Sequence, residues 1–74
     1  MVALEIFNKY KDISKFKIND IVKIANIREL FYVIIKSISP KGIITGKIDN
    51  ILIKPYKYKN ELIKFKVENI KEKY

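Results

Sequence analysis

The sequence predicts a mainly β domain, built as a small bent antiparallel sheet or as an SH3-like or Tudor-like barrel. The main observation is the β-branched and aromatic run from Leu30 to Ile38, which has the composition of a strand. The turn sequence Ser39-Pro40-Lys41-Gly42 follows it and leads into another apolar segment, which is the pattern of a β-hairpin. The 74 residues suffice for one domain, and closing a small sheet removes its exposed edges.

The chain before this hairpin divides into an arm and the beginning of the barrel. Residues 1–16 are predicted to be a helix or an irregular arm, because apolar residues recur there both at helical spacing and in strand-like alternation. The barrel core is predicted over residues 17–70. It opens with the turn pair Asn19-Asp20 and a short strand from Ile21 to Ile24.

The return strand of the hairpin is predicted from Ile43 to Ile48. Alternation places Ile44 and Ile48 on one face and Lys47 on the other. Gly46 in the middle of this strand indicates a bend or a close approach of another part of the chain.

The C-terminal part of the chain is predicted to contain one more strand. A longer connection over residues 51–60 precedes a strand from Leu62 to Val67. Glu68-Asn69-Ile70 is expected to form a single helical turn that places Ile70 in the core. Residues 71–74 are expected to be a fraying tail.

The composition argues against catalysis and against metal binding. The chain has no Cys and no His, so it lacks disulfides, the usual zinc ligands, the commonest general base and the thiol nucleophile. It also has no Gly-x-Ser-x-Gly elbow and no glycine-rich phosphate loop. We therefore expect a protein that is not an enzyme and needs no cofactor or metal.

The hydropathy pattern predicts neither a membrane span nor a secretory signal. The longest apolar stretch, Leu30 to Ile35, is far shorter than the roughly 20 residues of a spanning helix. The first residues lack a charged segment followed by a long apolar run. We expect an intracellular protein, in the cytoplasm, the nucleoid or a viral factory, with no membrane partner.

The charge has two interpretations. The 16 basic residues outnumber the 8 acidic ones, for a net charge of +8, which indicates an anionic partner such as nucleic acid. However, Ile, Lys and Asn make up half of the chain. Their codons are rich in A and T, so codon usage alone would raise the Lys content of a merely solvated surface.

The candidate nucleic-acid-binding residues are basic or aromatic side chains predicted to point outward. Lys36 and Lys47 lie on the two arms of the central hairpin, and the run from Tyr56 to Lys59 interleaves rings with charges, which suits base stacking and phosphate pairing. Arg28 is the single Arg, so strong sequence preference is not expected. We expect DNA rather than RNA as the ligand. The candidates are Lys23, Lys36, Lys41, Lys47, Lys54, Tyr56, Lys57 and Lys59.

Motif pieces between Lys17 and Glu72 occur in the order of a known pattern. The pattern reads Gly-Asp, Val-Lys-Val, Glu-x-x-Trp-Val-x-Val, Gly-x-hydrophobic-x-Asn, Tyr-Gly-Asp, and a hydrophobic-x-Phe strand ending in an Ile turn. The matching positions are Asn19-Asp20, Val22-Lys23-Ile24, Glu29, Tyr32-Val33 with Ile35, Gly46 to Asn50, Tyr58, Ile63-Lys64-Phe65 and Asn69-Ile70.

With these positions, the chain resembles a family of small SH3-like domains of unknown function from bacteria and large DNA viruses. Two departures stand out, since Tyr32 replaces the usual Trp and Lys59-Asn60 replaces the late Gly-Asp. The resemblance implies an SH3-like fold. It implies no activity and no catalytic residues.

A protein-interaction or structural module is the alternative function. The chain would then be an accessory or virion component that pairs with a partner's strand or forms a homodimer, and its Lys excess would reflect codon usage. A reader of methylated lysine is a weaker third option, because a cation cage needs more loop aromatics and the chain has no Trp.

Overall fold

The computed structural model describes residues 4–26, 30–49 and 62–74. Five strands form one antiparallel sheet in the order β4-β3-β2-β1-β5. The strands are β1 (Ile21–Ala25), β2 (Leu30–Ile38), β3 (Ile44–Ile48), β4 (Leu62–Phe65) and β5 (Ile70–Lys73), and two 3-10 turns are η1 (Ile13–Lys15) and η2 (Val67–Asn69). The mainly β prediction is confirmed. Within the described residues β4 and β5 lie at opposite edges of the sheet, so it is a bent open sheet rather than a closed barrel.

The core lies on one face of this sheet because the strands alternate apolar and outward residues. In β2, Phe31, Val33 and Ile35 are fully buried, while the residues between them point away from the core. Antiparallel pairing aligns Val33 with Val22 of β1 and with Ile48 of β3. Buried positions of adjacent strands therefore stack into a continuous apolar layer.

The N-terminal arm covers the core. Phe16 is buried, and its ring meets that of Tyr10 edge to face at 5.4 Å. Residues 4–16 contain no α-helix, so the helical alternative is wrong for this part of the chain. The amides of Glu5 and Phe7 donate to Ala25 and Glu68 instead, and these bonds hold the arm across the sheet.

The predicted turns are present, each with a residue in the left-handed region. In the β2–β3 hairpin, Gly42 has φ +86° and its amide donates to Ser39 at 3.0 Å. In the turn before β1, Asn19 has φ +77°, and the Asp20 carboxylate accepts the Lys17 amide at 2.8 Å. Gly and Asn are the residues that tolerate this conformation best.

The C-terminal prediction needs correction. Residues 71–74 are not a fraying tail, because Ile70–Lys73 pair with β1 as β5. The strand from Leu62 also ends at Phe65, and Val67 begins η2, where the Asn69 side chain accepts the Lys66 amide at 2.8 Å. Ile70 is fully buried as expected, but it starts a strand rather than belonging to the helical turn.

Two bulges interrupt the pairing. Lys36 is the extra residue in β2, since Ile35 faces Gly46 and Ser37 faces Thr45. In β5, Ile70 faces Ile24 and Glu72 faces Lys23, which leaves the intervening residue unpaired in the ladder. Bulges of this kind bend a strand and increase its twist. No helix in the described ranges 4–26, 30–49 and 62–74 is long and apolar enough to cross a membrane.

Candidate functional site

The sheet has a second face, turned away from the core, which we call the outer face. Residues directly opposite each other in an antiparallel pair share a face, so the register identifies its members. Its exposed and half-buried members are Ile21, Lys23, Leu30, Tyr32, Ile34, Ser37, Thr45, Lys47, Asp49, Leu62, Lys64, Glu72 and Tyr74. The arm packs on the opposite side of the sheet, against the core.

Two of the candidate lysines lie on the outer face. Lys23 faces Tyr32 and Glu72, and Lys47 faces Ile34 and Leu62. Lys23 and Lys47 are separated by two strand spacings and by two residues along the sheet. Standard sheet dimensions place their α-carbons about 12 Å apart.

The other described candidates, Lys36 and Lys41, lie beside this face toward the hairpin end. Lys36 is exposed in the β2 bulge, and Lys41 is exposed in the turn. A groove at this end is lined by both Lys41 and Lys64, so the turn and β4 contribute cations to one concavity. The candidates Lys54, Tyr56, Lys57 and Lys59 lie outside the described residues.

Lys64 belongs to the same surface but is absent from the predicted site residues. It faces Thr45, two positions from Lys47 across the β3–β4 pair. Such diagonal neighbours are about 7–8 Å apart. Lysine side chains that start this close together concentrate positive charge, which an anion bound between them would neutralise. Alternation in the predicted strand from Leu62 already places Lys64 outward, although it was not among the candidates.

Two tyrosines meet at the β5 side of the outer face. The ring centroids of Tyr32 and Tyr74 are 5.7 Å apart at an interplanar angle of 43°, and the Lys23 ammonium lies 5.3 Å from the Tyr32 centroid. Tyr32 is 37% exposed and Tyr74 is 57% exposed. The sequence reasoning missed both as site residues. Alternation between Phe31 and Val33 would have placed Tyr32 outward.

A hydrogen-bonded network holds this tyrosine pair. The Tyr74 hydroxyl donates to the Glu72 carboxylate at 2.8 Å. Hydrogen bonding with Tyr74, followed by the charge of Lys23, lowers the pKa of Glu72. Hydrogen bonding with Tyr74 also raises the pKa of Lys23, and the bond to Glu72 raises the pKa of Tyr74. Lys23, which is charged at neutral pH in any case, is thus linked through Tyr74 to the Glu72 carboxylate.

The charges are not confined to one side of the molecule. The arm and the turn before β1 carry Lys9, Lys11, Lys15 and Lys17 together with Glu5, Asp12 and Asp20. The Lys73 ammonium lies 3.5 Å from the Asp20 carboxylate and donates to the Lys15 carbonyl at 2.6 Å. On the outer face, the three lysines Lys23, Lys47 and Lys64 stand with two acids, Glu72 and Asp49. The positive excess of this face is therefore small, and the exposed Lys36 and Lys41 beside it add to it.

Apolar side chains complete the outer face. Ile21 is 40% exposed and Leu62 is 64% exposed, and the register places Ile21, Ile34, Lys47 and Leu62 in one row across four strands. We call Ile21, Ile34 and Leu62 the apolar row, which Lys47 interrupts, and exposed apolar surface next to charges is typical of a binding surface.

Within residues 4–26, 30–49 and 62–74, no group of three or more acidic, His or Cys side chains has a metal-binding arrangement. Comparison of the chain with protein-family models, with curated proteins and with solved structures found no match. The charges, rings and apolar row of the outer face are therefore the features from which a function can be inferred.

Proposed function

We propose that this chain is a non-enzymatic module that binds nucleic acid by contacting the phosphate backbone without strong sequence preference. The observation that supports this most is the sheet register, which sets Lys23, Lys47 and Lys64 on one exposed face. Lys36 and Lys41 extend the positive charge toward the hairpin end of this face. The resemblance to small SH3-like domains implies no activity, so the proposal rests on the outer face.

The affinity would come mainly from release of counterions. Lys side chains act as point charges and carry little information about base identity. If about 4 phosphates are neutralised, the logarithm of the binding constant falls with the logarithm of salt concentration at a slope of about −3.5. The net charge of +8 would also speed encounter with a polyanion. We expect DNA as the principal ligand and an intracellular location.

Fluorescence anisotropy at several salt concentrations tests this proposal with two matched variants. One variant carries Lys23→Gln, Lys47→Gln and Lys64→Gln on the outer face. The other carries Lys11→Gln, Lys15→Gln and Lys17→Gln, which remove the same charge from exposed positions in the arm and in the turn before β1. The outer-face variant should bind more weakly, and its salt slope should be shallower by about 2.7. Equal losses in the two variants, or no binding by the wild type at low salt, would contradict the proposal.

A protein-interaction module is the second candidate function. The exposed side chains of Ile21 and Leu62 favour it, since apolar groups gain little from phosphates. In this case a second copy of the chain or another protein covers the outer face, and the Lys content reflects codon usage. Sedimentation equilibrium distinguishes the two functions, because a tight dimer that is insensitive to salt would favour this candidate.

A further inference from the structure

The tyrosine pair is positioned by two strands rather than by the local chain alone. The amide of Tyr74 donates to the Ile21 carbonyl at 2.9 Å, and its hydroxyl donates to Glu72. The first bond holds the Tyr74 backbone, and the second holds the hydroxyl end of its ring. Tyr32 belongs to β2, two strands away from β5 in the sheet. The rings are therefore held in place before any ligand arrives, which lowers the entropy cost of binding.

The two tyrosine rings present flat apolar surface next to a charged residue of the outer face, Lys23. The Lys23 ammonium lies over the Tyr32 ring, and the apolar row of Ile21, Ile34 and Leu62 begins next to Tyr74. A ligand with negative charge and exposed flat apolar groups would match the lysines and the rings, while Glu72 and Asp49 are the acids of the outer face that oppose its charge. Phosphates and bases provide these two features in a single polymer.

The two forms of nucleic acid differ in whether their bases are accessible. In a duplex the bases are paired and stacked on each other, so the sheet would meet only phosphates and groove edges. In a single strand the bases can turn outward and stack on aromatic side chains while the backbone lies along basic residues. The surface that combines Tyr32, Tyr74 and Lys23 is complementary to the second form.

We infer that the ligand is single-stranded nucleic acid whose unpaired bases stack on Tyr32 and Tyr74 while its backbone passes along Lys47 and Lys64. This inference rests on the proposed function and specifies the ligand of the same face. The strand runs from the β5 side of the sheet toward the groove formed by Lys41 and Lys64. The apolar row between these ends contacts sugars and bases rather than phosphates.

The first test compares oligothymidine with a duplex of the same length in anisotropy titrations at a fixed salt concentration. Oligothymidine should bind more tightly. Tyr32→Leu and Tyr74→Leu should each weaken its binding by about 5- to 150-fold, the range that corresponds to 1–3 kcal/mol for one stacked base. Tyr32→Phe and Tyr74→Phe keep the ring and should retain most of the affinity. Circular dichroism shows whether each variant is folded.

The salt dependence of binding distinguishes base stacking on the tyrosines from the proposed binding of the phosphate backbone. Stacking releases no counterions, so Tyr74→Leu should lower affinity with an unchanged salt slope, whereas the lysine variant reduces the slope. If duplex and single strand bind equally and the Leu variants bind as the wild type does, the inferred base stacking is overturned while the proposed phosphate binding is supported. If neither probe binds, both the inferred stacking and the proposed phosphate binding are contradicted. A salt-insensitive dimer that Tyr74→Leu dissociates would overturn the inference in favour of a second copy of the chain.

Discussion

A β-carbon added at Gly46 would lie only 2.1 Å from Cγ1 of Val33, the buried residue of the neighbouring strand. The Phe65 ring and the Ile34 carbonyl oxygen are also within 3.2 Å of that point. Because Val33 is fully buried, it cannot move away freely. We expect Gly46→Ala to lower the free energy of unfolding by at least about 1–3 kcal/mol, the range typical of overpacking. Urea denaturation of the variant and the wild type measures this loss.

Gly42→Ala is the matched control for this substitution. A β-carbon there meets only the Ile13 side chain at 3.9 Å, so the cost arises from φ +86° rather than from crowding. We expect a loss of about 1–2 kcal/mol, the penalty for an L residue in the left-handed region. A larger loss for Gly42→Ala than for Gly46→Ala would contradict the packing described here.

The fifth strand leads to a prediction about the C-terminus. Ile70 is fully buried against β1, so Ile70→Ala should lower the free energy of unfolding by about 2–5 kcal/mol. Leu62→Ala removes a similar side chain that is largely exposed, and should change stability by no more than about 0.5 kcal/mol.

The Tyr74 amide, bonded to Ile21, should exchange slowly with solvent in hydrogen-exchange experiments. Exchange at the rate of an unstructured chain would instead support the prediction that residues 71–74 fray.

Local pattern accounts for the parts of the fold that the sequence predicts well. The bounds of β2 follow from its β-branched run, and the hairpin turn follows from Pro40 and Gly42. The pattern failed for β5 because the segment from Ile70 to Lys73 contains a single apolar residue. That strand is held by pairing with the β1 edge and by the contact between Lys73 and Asp20. These interactions are distant in sequence.

The candidate site divides in the same way. Alternation of apolar and polar residues predicted the outward direction of Lys23 and Lys47. The same alternation that directs apolar side chains into the core directs the residues between them to the opposite face. Tyr74 could not be predicted as a site residue, because its position depends on β5. The bulge at Lys36 depends on the register between β2 and β3, which single-sequence patterns do not specify.

Acid sensitivity is expected from two carboxylates with lowered pKa values. Hydrogen bonds from the Ser14 side chain and amide lower the pKa of Asp12 below its ordinary value of 3.8, and hydrogen bonding with Tyr74 lowers the pKa of Glu72 below 4.5. A lowered pKa in the folded state adds stability above the unfolded value, and this is lost as pH falls through the folded value. Stability should therefore fall as pH drops from 4.5 to below 3.8.

Thermal unfolding of the double variant Asp12→Asn, Glu72→Gln across this pH range checks the assignment. Both replacements keep an oxygen acceptor but remove the titrating proton. The difference in stability between neutral and acidic pH should be smaller in the variant than in the wild type. An unchanged difference would mean that other carboxylates are responsible for the acid sensitivity.

Charge on Glu72 should oppose binding of any polyanion to the outer face. This carboxylate faces Lys23 across the β1–β5 pair and accepts a hydrogen bond from Tyr74. Glu72→Gln removes its charge and keeps an acceptor for the hydroxyl, so the ring stays in place while Lys23 becomes free to pair with phosphate. We therefore expect Glu72→Gln to bind oligothymidine more tightly than the wild type at low salt.

Glu68→Gln supplies the control for this gain. Glu68 lies in η2, and its backbone carbonyl, which the substitution retains, accepts the amide of Phe7 in the arm. The net charge changes by the same amount in both variants, so general attraction to a polyanion rises equally. Any extra gain for Glu72→Gln measures the local effect beside the tyrosine pair, and it should fade as salt screens the interaction. Equal gains in the two variants would show that the ligand does not occupy the β5 side of the outer face.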